Sequence, residues 1–246
     1  MVLSYLQNIF KARQNNNNPL FSALRPLLGF SPKTLHYYER AFTHRSINLK
    51  DSQGNAFNYE RLEYIGDAVL GTVIAHHLFQ KVPAANEGYL TKMRSKIVSR
   101  GSLNKIGEDL QLVRLMKSSL NASKFGKNIH GNLLEALIGA VFLDQGYKSC
   151  EGFIYNNIIS PYVDISTLEG KIISYKSLMV EWCQKEKKKL YFICEKDGGL
   201  EKVKHFSVSL EIDGKITAKA RATSRKKSEE KASQRAYFAL QDKIEL

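Results

Sequence analysis

The apolar residues of this chain change their spacing at about residue 169, and this change most strongly constrains the fold. Between residues 19 and 165 they recur with a helical period, and no segment alternates convincingly like a strand. Further on, "HFSVSLEI" at 205–212 and "KITAKARA" at 215–222 alternate and flank an Asp-Gly pair, which is typical of a two-residue hairpin. With the strand-like "LYFICEK" before them and a helical pattern on each side, they predict an α-β-β-β-α unit. We therefore expect an all-α domain followed by a small α+β domain.

The domain boundaries are expected near these changes of pattern. The sequence predicts an N-terminal extension at 1–18, the helical domain at 19–165 and the α+β domain at 169–243. The polar run "RQNNNNP" at 13–19 interrupts the helical pattern and separates a short amphipathic segment from the helical domain.

The net charge of +13 indicates an anionic partner such as nucleic acid or a membrane surface. Both parts of the chain share the excess of positive charge. Residues 169–246 carry 18 Lys and Arg against 12 Asp and Glu, and the rest of the chain carries 19 against 12. The three cysteines form no CxxC pair, which disfavours a disulfide framework or a zinc site. The longest apolar run, 136–143, is far shorter than the roughly 20 residues of a membrane span. We expect a soluble, cytoplasmic protein without a membrane partner.

Three acids lie in the segment "NYERLEYIGDAVLG" at 58–71. On a helix Glu60, Glu63 and Asp67 would share one face, because they are three and seven residues apart. One interpretation is a solvated stripe on an amphipathic helix. The other starts from the apolar residues around the rest of the helix, which predict that it is largely buried. Buried acids must be paired, hydrogen-bonded or bound to a metal ion.

A second apolar segment, "NLLEALIGAVFL" at 132–143, raises the same question. Its polar residues are Asn132 and Glu135, three positions apart. This spacing fits a capping box, in which Asn132 caps the helix and Glu135 occupies the third position. It also fits a site where two helices bring oxygen ligands to one hard cation, such as magnesium or manganese. In a basic protein such a site favours phosphodiester hydrolysis.

The segment "YERLEYIGDAVL" at 59–70 resembles the signature of the ribonuclease III family. Three further segments match that family in the same order: "LGFSPKTLHYYERAFTHRS" at 28–46, "EGYLTKMRSKIVSR" at 87–100 and "LLEALIGAVFLDQGY" at 133–147. The α-β-β-β-α unit resembles the double-stranded-RNA-binding domain that follows in this family. The resemblance therefore covers nearly all of the chain after the asparagine run. It implies an all-α endonuclease domain followed by a double-stranded-RNA-binding domain.

The resemblance assigns roles to five residues of the two apolar helices. Asp67 and Glu135 match catalytic positions, and Glu63, Asn132 and Glu135 match metal-ligand positions. Glu60 matches a position that contacts the substrate or the dimer partner. Asn132 departs from the family, which usually has Asp there, so the site loses one negative charge but keeps an oxygen.

For the second domain, the resemblance rests on "SRKKSEEKA" at 224–232, which is similar to the start of the family's second helix. Basic side chains at a helix N-terminus favour phosphate, as does the helix dipole. The residues assigned to RNA binding are Lys176, Glu181, Lys202, Arg225, Lys226 and Lys227.

Several positions of this second domain depart from the family pattern. Ala220 and Ala222 replace glycines, Val180 replaces a common Gln, and Lys202 stands where the family has a loop His, with His205 displaced. These departures predict weaker minor-groove contacts with phosphate contacts retained.

The implied protein is a homodimeric endoribonuclease that cuts double-stranded RNA with Mg²⁺, for which Mn²⁺ can substitute. Its products would carry a 5′-phosphate and a short 3′ overhang, and its role would lie in ribosomal and messenger RNA processing. The alternative is a catalytically silent relative of the same fold that only binds structured RNA. Retention of Glu63, Asp67 and Glu135 favours the enzyme.

Overall fold

The computed structural model describes residues 18–169, 172, 174–197 and 205–244, which form two compact units. The first unit ends with Glu169, four residues beyond the end expected for the helical domain. The predicted N-terminal extension, apart from Asn18, lies outside the described residues, as does Lys202.

The first unit is helical, as predicted, and no β-strand is present between residues 18 and 169. Its helices are α1 (Pro19–Leu28), α2 (Leu35–Ala41), α3 (Glu60–Lys81), α4 (Glu87–Ile97), α5 (Arg100–Asp109), α6 (Ile129–Gln145), α7 (Tyr147–Ile154), α8 (Ser160–Tyr162) and α9 (Ile165–Glu169). A π-helical turn, Tyr155–Ile159, joins α7 to α8. Short 3₁₀ turns lie at Arg45–Ile47, Leu112–Leu115 and Ala122–Lys124.

Helix α6 forms the centre of this unit, and α2, α3, α5 and α7 pack around it. Residues 133–141 of α6 are all buried except Glu135, which is half-buried. Full burial of one leucine side chain stabilises a fold by about 1.5–3 kcal/mol, so this apolar helix dominates the core. Even so, no helix in the described ranges is long and apolar enough to cross a membrane.

Helices α3 and α6 cross in backbone contact, and two glycines make this possible. A Cβ atom on Gly66 of α3 would collide with the carbonyl group of Glu135. In the same way, a Cβ atom on Gly139 of α6 would collide with the carbonyl group of Leu62. The acids of α3 are therefore carried directly against the turn of α6 that holds Glu135.

The expectation that α3 is largely buried is wrong for one face. Leu62, Val69 and Leu70 are buried, but Tyr64 is 80% exposed and Phe79 is 70% exposed. The reason is that α3 packs the side with Gly66 on α6, whereas no described part of the first unit covers the opposite side. The apolar composition predicted a largely buried helix but did not indicate which face would be exposed.

The second unit has the predicted α-β-β-β-α order. Its elements are α10 (Tyr175–Lys185), β1 (Leu190–Asp197), β2 (His205–Ile212), β3 (Lys215–Ala222) and α11 (Arg225–Leu240), followed by a 3₁₀ turn at Gln241–Lys243. The strands form one antiparallel sheet in the order β1-β2-β3. Its core combines side chains of both helices and the sheet: Met179, Cys183, Val208, Leu210, Ala220, Ala232 and Ala236.

The Asp213-Gly214 pair forms the predicted tight turn between β2 and β3. Both residues have positive φ, 50° and 79°, as a type I′ turn requires. Inward-facing Val208, Leu210 and Ile212 alternate with half-buried residues on β2, which confirms the alternation predicted from the sequence.

Candidate active site

The acids of α3 and α6 meet in one cavity of about 530 Å³. The polar residues that line it are Glu60, Glu63, Asp67, Arg100, Asn104, Asn128, Asn132 and Glu135. Glu63 and Glu135 are half-buried, and Asp67 is exposed. The spacing along α3 and α6 thus places all five residues that the sequence analysis singled out on these helices at one site.

The first turn of α6 is held against α5 by Asn104. Its Oδ1 accepts a hydrogen bond from the backbone N–H of Gly131 at 2.9 Å, and its Nδ2 donates to Oδ1 of Asn128 at 3.3 Å. Gly107 allows this close approach, because a Cβ atom there would collide with the carbonyl group of His130. The α5–α6 contact therefore fixes the wall of the cavity opposite α3.

The capping-box interpretation of Asn132 and Glu135 is wrong. Helix α6 begins at Ile129 with Asn128 as its N-cap, so Asn132 lies one turn inside the helix. Its backbone N–H donates to the carbonyl oxygen of Asn128 at 3.0 Å, as in regular helix. The side chain of Asn132 instead makes a hydrogen bond with Tyr59. Burial raises the pKa of Tyr59, and this hydrogen bond opposes the rise. The Asn132 amide thus belongs to the cavity wall and not to the helix cap.

The electrostatics of the cavity show negative charge that is not fully neutralised. Desolvation, followed by the charges of Asp67 and Glu63, raises the pKa of Glu135 to about 7, and the charge of Arg100 opposes this. Burial and the nearby Glu60 likewise raise the pKa of Glu63. Such pKa shifts indicate a site where a bound cation would favour the ionised carboxylates.

The residues present fit a hard divalent ion. No three His, Cys, Asp or Glu side chains within the described ranges are close enough to enclose an ion by themselves. Magnesium, however, keeps several waters and usually takes only one or two carboxylates from a protein. The half-buried carboxylates of Glu63 and Glu135, with the Asn132 amide oxygen beside them, provide this kind of donor set.

Glu60 differs from the other acids because it has a partner at the rim. Its carboxylate lies 3.4 Å from the guanidinium of Arg45 and accepts a hydrogen bond from Asn58 at 3.3 Å. Glu60 also borders a second groove, which is lined mainly by apolar side chains that include Tyr64 and Leu143. It is therefore shared between the acidic cavity and an exposed apolar surface.

In the second unit, Glu229 joins the two helices through its carboxylate. Its Oε2 lies 2.6 Å from Nζ of Lys176 on α10, and its Oε1 lies 2.8 Å from Nε of Arg225 on α11. The Glu229 side chain is only 8% exposed. This network brings two of the candidate RNA-binding residues to one place.

Lys226 and Lys227 are exposed in the first turn of α11. The hydroxyl of Ser224 accepts a hydrogen bond from the N–H of Lys227 at 3.3 Å and caps this helix. Their ammonium groups make no hydrogen bond or ion pair with the described part of the chain. Glu181 is exposed on α10.

The sequence analysis missed the residues that α5 and the first turn of α6 contribute, above all Arg100, Asn104 and Asn128. Asn104 and Asn128 lie outside the segments that resemble the family, and Arg100 ends one of them without an assigned role. Helix α5 reaches the cavity only through its packing on α6. The sequence also gave no sign of Glu230, whose carboxylate accepts hydrogen bonds from Tyr175 N at 2.7 Å and Ser174 Oγ at 2.8 Å. Glu230 thereby caps α10.

The chain matches two known families and several named proteins. Residues 35–162 match the family described as Ribonuclease-III-like, and residues 175–240 match the double-stranded RNA binding motif. The chain is 60% identical to "Ribonuclease 3" of Zunongwangia profunda, over 98% of this chain and 100% of that relative. It is 54% identical to "Ribonuclease 3" of Flavobacterium psychrophilum, over 99% of each chain.

A solved structure is similar to the first unit. The nuclease domain of ribonuclease III from Campylobacter jejuni is 33% identical, with a TM-score of 0.51, and the match covers 57% of this chain and 96% of that one. The name of that structure mentions a region involved in dimer formation of the nuclease domain.

Proposed function

This chain belongs to the ribonuclease III family of endoribonucleases, and we propose that it cuts double-stranded RNA at the acidic cavity between α3 and α6. The observation that carries the proposal is the position of Glu135 beside Glu63 and Asp67 in that cavity. A site with this charge attracts a cation and would repel the RNA backbone without one. Divalent-metal dependence accounts for both properties.

In this proposal Glu63, Glu135 and the Asn132 amide oxygen hold the ion, which is Mg²⁺ with Mn²⁺ as a substitute. When bound, the ion lowers the pKa of water and neutralises charge that develops on the phosphate. Glu135 binds as the carboxylate, although its pKa lies near 7 without a cation. Asp67, exposed one turn further along α3 than Glu63, accepts a hydrogen bond from the attacking water and orients it.

The second unit supplies affinity for the duplex. Exposed Lys226 and Lys227 bind phosphate at the start of α11, where the helix dipole adds to their charge. Arg225 and Lys176 contribute to the same basic surface, and Glu229 holds them in position. Glu181 and Lys202 complete the residues that we assign to RNA contact. Double-stranded RNA is bound mostly by shape, so we expect little sequence preference from this unit.

We propose that the nuclease unit functions as a homodimer, with one catalytic cavity per subunit. Support comes from the exposed Tyr64 and Leu143 beside Glu60, since apolar groups of this size gain from burial. The name of the Campylobacter jejuni structure mentions dimer formation of its nuclease domain, which supports a dimer here. Offset cuts by the two subunits would give products with a 5′-phosphate and a short 3′ overhang. Ribosomal and messenger RNA precursors in the cytoplasm are the proposed substrates.

Glu135→Gln tests the proposal most directly. We expect the wild-type protein to cut a long RNA duplex in magnesium but not in EDTA, and the variant to lose cleavage while duplex binding changes less than twofold. Glu108→Gln is the matched control, because Glu108 is exposed on α5, does not line the cavity and removes the same charge. Cleavage at the wild-type rate by Glu135→Gln would refute the metal-ligand assignment.

A catalytically silent RNA-binding protein of the same fold is the alternative. It predicts that the wild-type protein binds the duplex and leaves it intact in either metal. The retained acids argue against it, because Glu63 and Glu135 are half-buried, and a protein that only binds RNA would gain nothing from carboxylates that repel phosphate.

A further inference from the structure

Arg100 occupies an unusual position at the catalytic cavity. It is the first residue of α5, and the preceding Ser99 caps the helix by accepting a hydrogen bond from the N–H of Ser102 at 3.3 Å. Its side chain is exposed and lines the cavity together with the acids of α3 and α6. Among the described residues that line this cavity, Arg100 is the only Lys or Arg.

The guanidinium of Arg100 is close to the acids but not bound to any of them. Its charge opposes the rise in pKa of both Glu63 and Glu135, so it lies within electrostatic range of each. Nevertheless it makes no hydrogen bond and no ion pair with any residue in the described ranges. Arg45 and Arg225 differ in this respect, because each has a carboxylate partner within 3.4 Å.

An unpaired guanidinium keeps all five N–H donors available for a ligand. Their planar arrangement matches two oxygens of a phosphate, and a charge-assisted pair of this kind is about twice as strong as a neutral hydrogen bond. The N-terminus of α5 adds positive potential at the same point. RNA that enters the cavity must bring a phosphate next to the acids of α3, and a fixed cation at the rim would offset their repulsion.

We propose that Arg100 binds a phosphate of the RNA strand that is cut, next to the acids of the catalytic cavity. This inference rests on the proposed function and adds a substrate contact from a third helix. It also accounts for the neutral amide at position 132, because Arg100 and Asn132 both make the cavity less repulsive to an anionic strand. Arg100 touches the substrate directly and holds no metal ion.

The test compares Arg100→Gln, Arg100→Lys and Arg94→Gln in the full-length protein. Arg94 is the matched control, since it is exposed on α4, lines a different groove and removes the same charge. We expect kcat/KM on a long duplex to fall about tenfold for Arg100→Gln, and about threefold for Arg100→Lys, which keeps the charge but not the planar fork. Arg94→Gln should stay within twofold of wild type.

A second measurement uses binding without cleavage. In a Glu135→Gln background without magnesium, adding Arg100→Gln should make the plot of log K against log salt shallower by about one unit, as expected for one lost phosphate contact. Adding Arg94→Gln should leave the slope unchanged. This readout does not depend on metal loading or on catalysis.

Two results would overturn the inference. Unchanged kcat/KM and salt slope would make Arg100 a solvated surface residue. If Arg100→Gln reached half-maximal cleavage at lower magnesium while RNA binding stayed unchanged, Arg100 would only balance the charge of the acids. If the wild-type protein itself failed to cut duplex RNA while the salt slope still changed, the proposed function would fail and the phosphate contact would stand.

Discussion

The backbone contact between α3 and α6 predicts that Gly66→Ala damages both stability and catalysis. The added methyl group would meet backbone atoms of α6 at Glu135 and Gly139, which cannot rotate away as a flexible side chain does. Overpacking of this kind costs up to about 3 kcal/mol. The better helix propensity of alanine returns about 1 kcal/mol, so we expect a net loss of about 2 kcal/mol in the free energy of unfolding.

Gly71→Ala is the matched control on the same helix. A Cβ atom at Gly71 would meet nothing within 4 Å, so only the propensity gain of about 1 kcal/mol applies. In a unit of this size, 1 kcal/mol corresponds to about 2–4 °C in Tm. Gly66→Ala should therefore lower Tm by roughly 4–8 °C, and Gly71→Ala should raise it by roughly 2–4 °C.

The assay separates the two units by their signals. Trp182 is the only tryptophan and lies in α10, so its fluorescence follows the second unit and should not change in either variant. Circular dichroism at 222 nm follows mainly the first unit, because most of the helical residues in the described ranges lie there. Gly66→Ala should also cut RNA about a hundredfold more slowly, because a displacement of about 1 Å between Glu63 and Glu135 has an effect of that size. Equal Tm values for the two variants would refute the reasoning.

Three further predictions concern single groups. Asn132→Asp should fold normally and reach half-maximal cleavage at lower magnesium, since a carboxylate attracts a hard cation more strongly than an amide; equal midpoints in a magnesium titration would remove Asn132 from the metal shell. Lys226→Ala combined with Lys227→Ala should weaken binding to all long duplexes alike and make the salt slope shallower by about one unit per lost contact; an unchanged slope would mean a solvated surface. Burial works to raise the pKa of Glu229, but its hydrogen bonds to Lys176 and Arg225 lower it overall. The stability that Glu229 gives the second unit should therefore be complete above pH 4.5 and be lost as pH falls through the lowered value. Trp182 fluorescence in urea should show this loss, and Glu229→Gln should remove the pH dependence.

The parts of the fold that follow from local patterns could be predicted from the sequence. Alternation on β2 and β3 depends on the sheet period, and the Asp213-Gly214 turn depends on two residues that tolerate positive φ. The shared face of Glu60, Glu63 and Asp67 follows from the geometry of one helix. Each of these features is decided within a few residues of the chain.

The parts that depend on packing could not be predicted. The start of α6 lies at Ile129 because Asn104 and Asn128 hold its first turn, and the sequence around Asn132 contains no sign of this. The exposed face of α3 is set by which side meets α6, and composition does not specify a side. Arg100 ends the matched segment 87–100, but it belongs to the site because α5 packs beside α6, and the segment itself gives no sign of that packing.

The backbone contact of α3 and α6 at Gly66 and Gly139 affects which substitutions the core can accept. Where side chains separate two helices, every change of side-chain volume moves the helices and anything they carry. Here main chain meets main chain at Gly66 and Gly139, so the distance between the acid-bearing turns depends mainly on backbone atoms. Leucine, isoleucine and valine can then be exchanged elsewhere in the core while the carboxylates keep their spacing. Two small residues thus separate changes of side-chain volume in the hydrophobic interior from the spacing of the carboxylates.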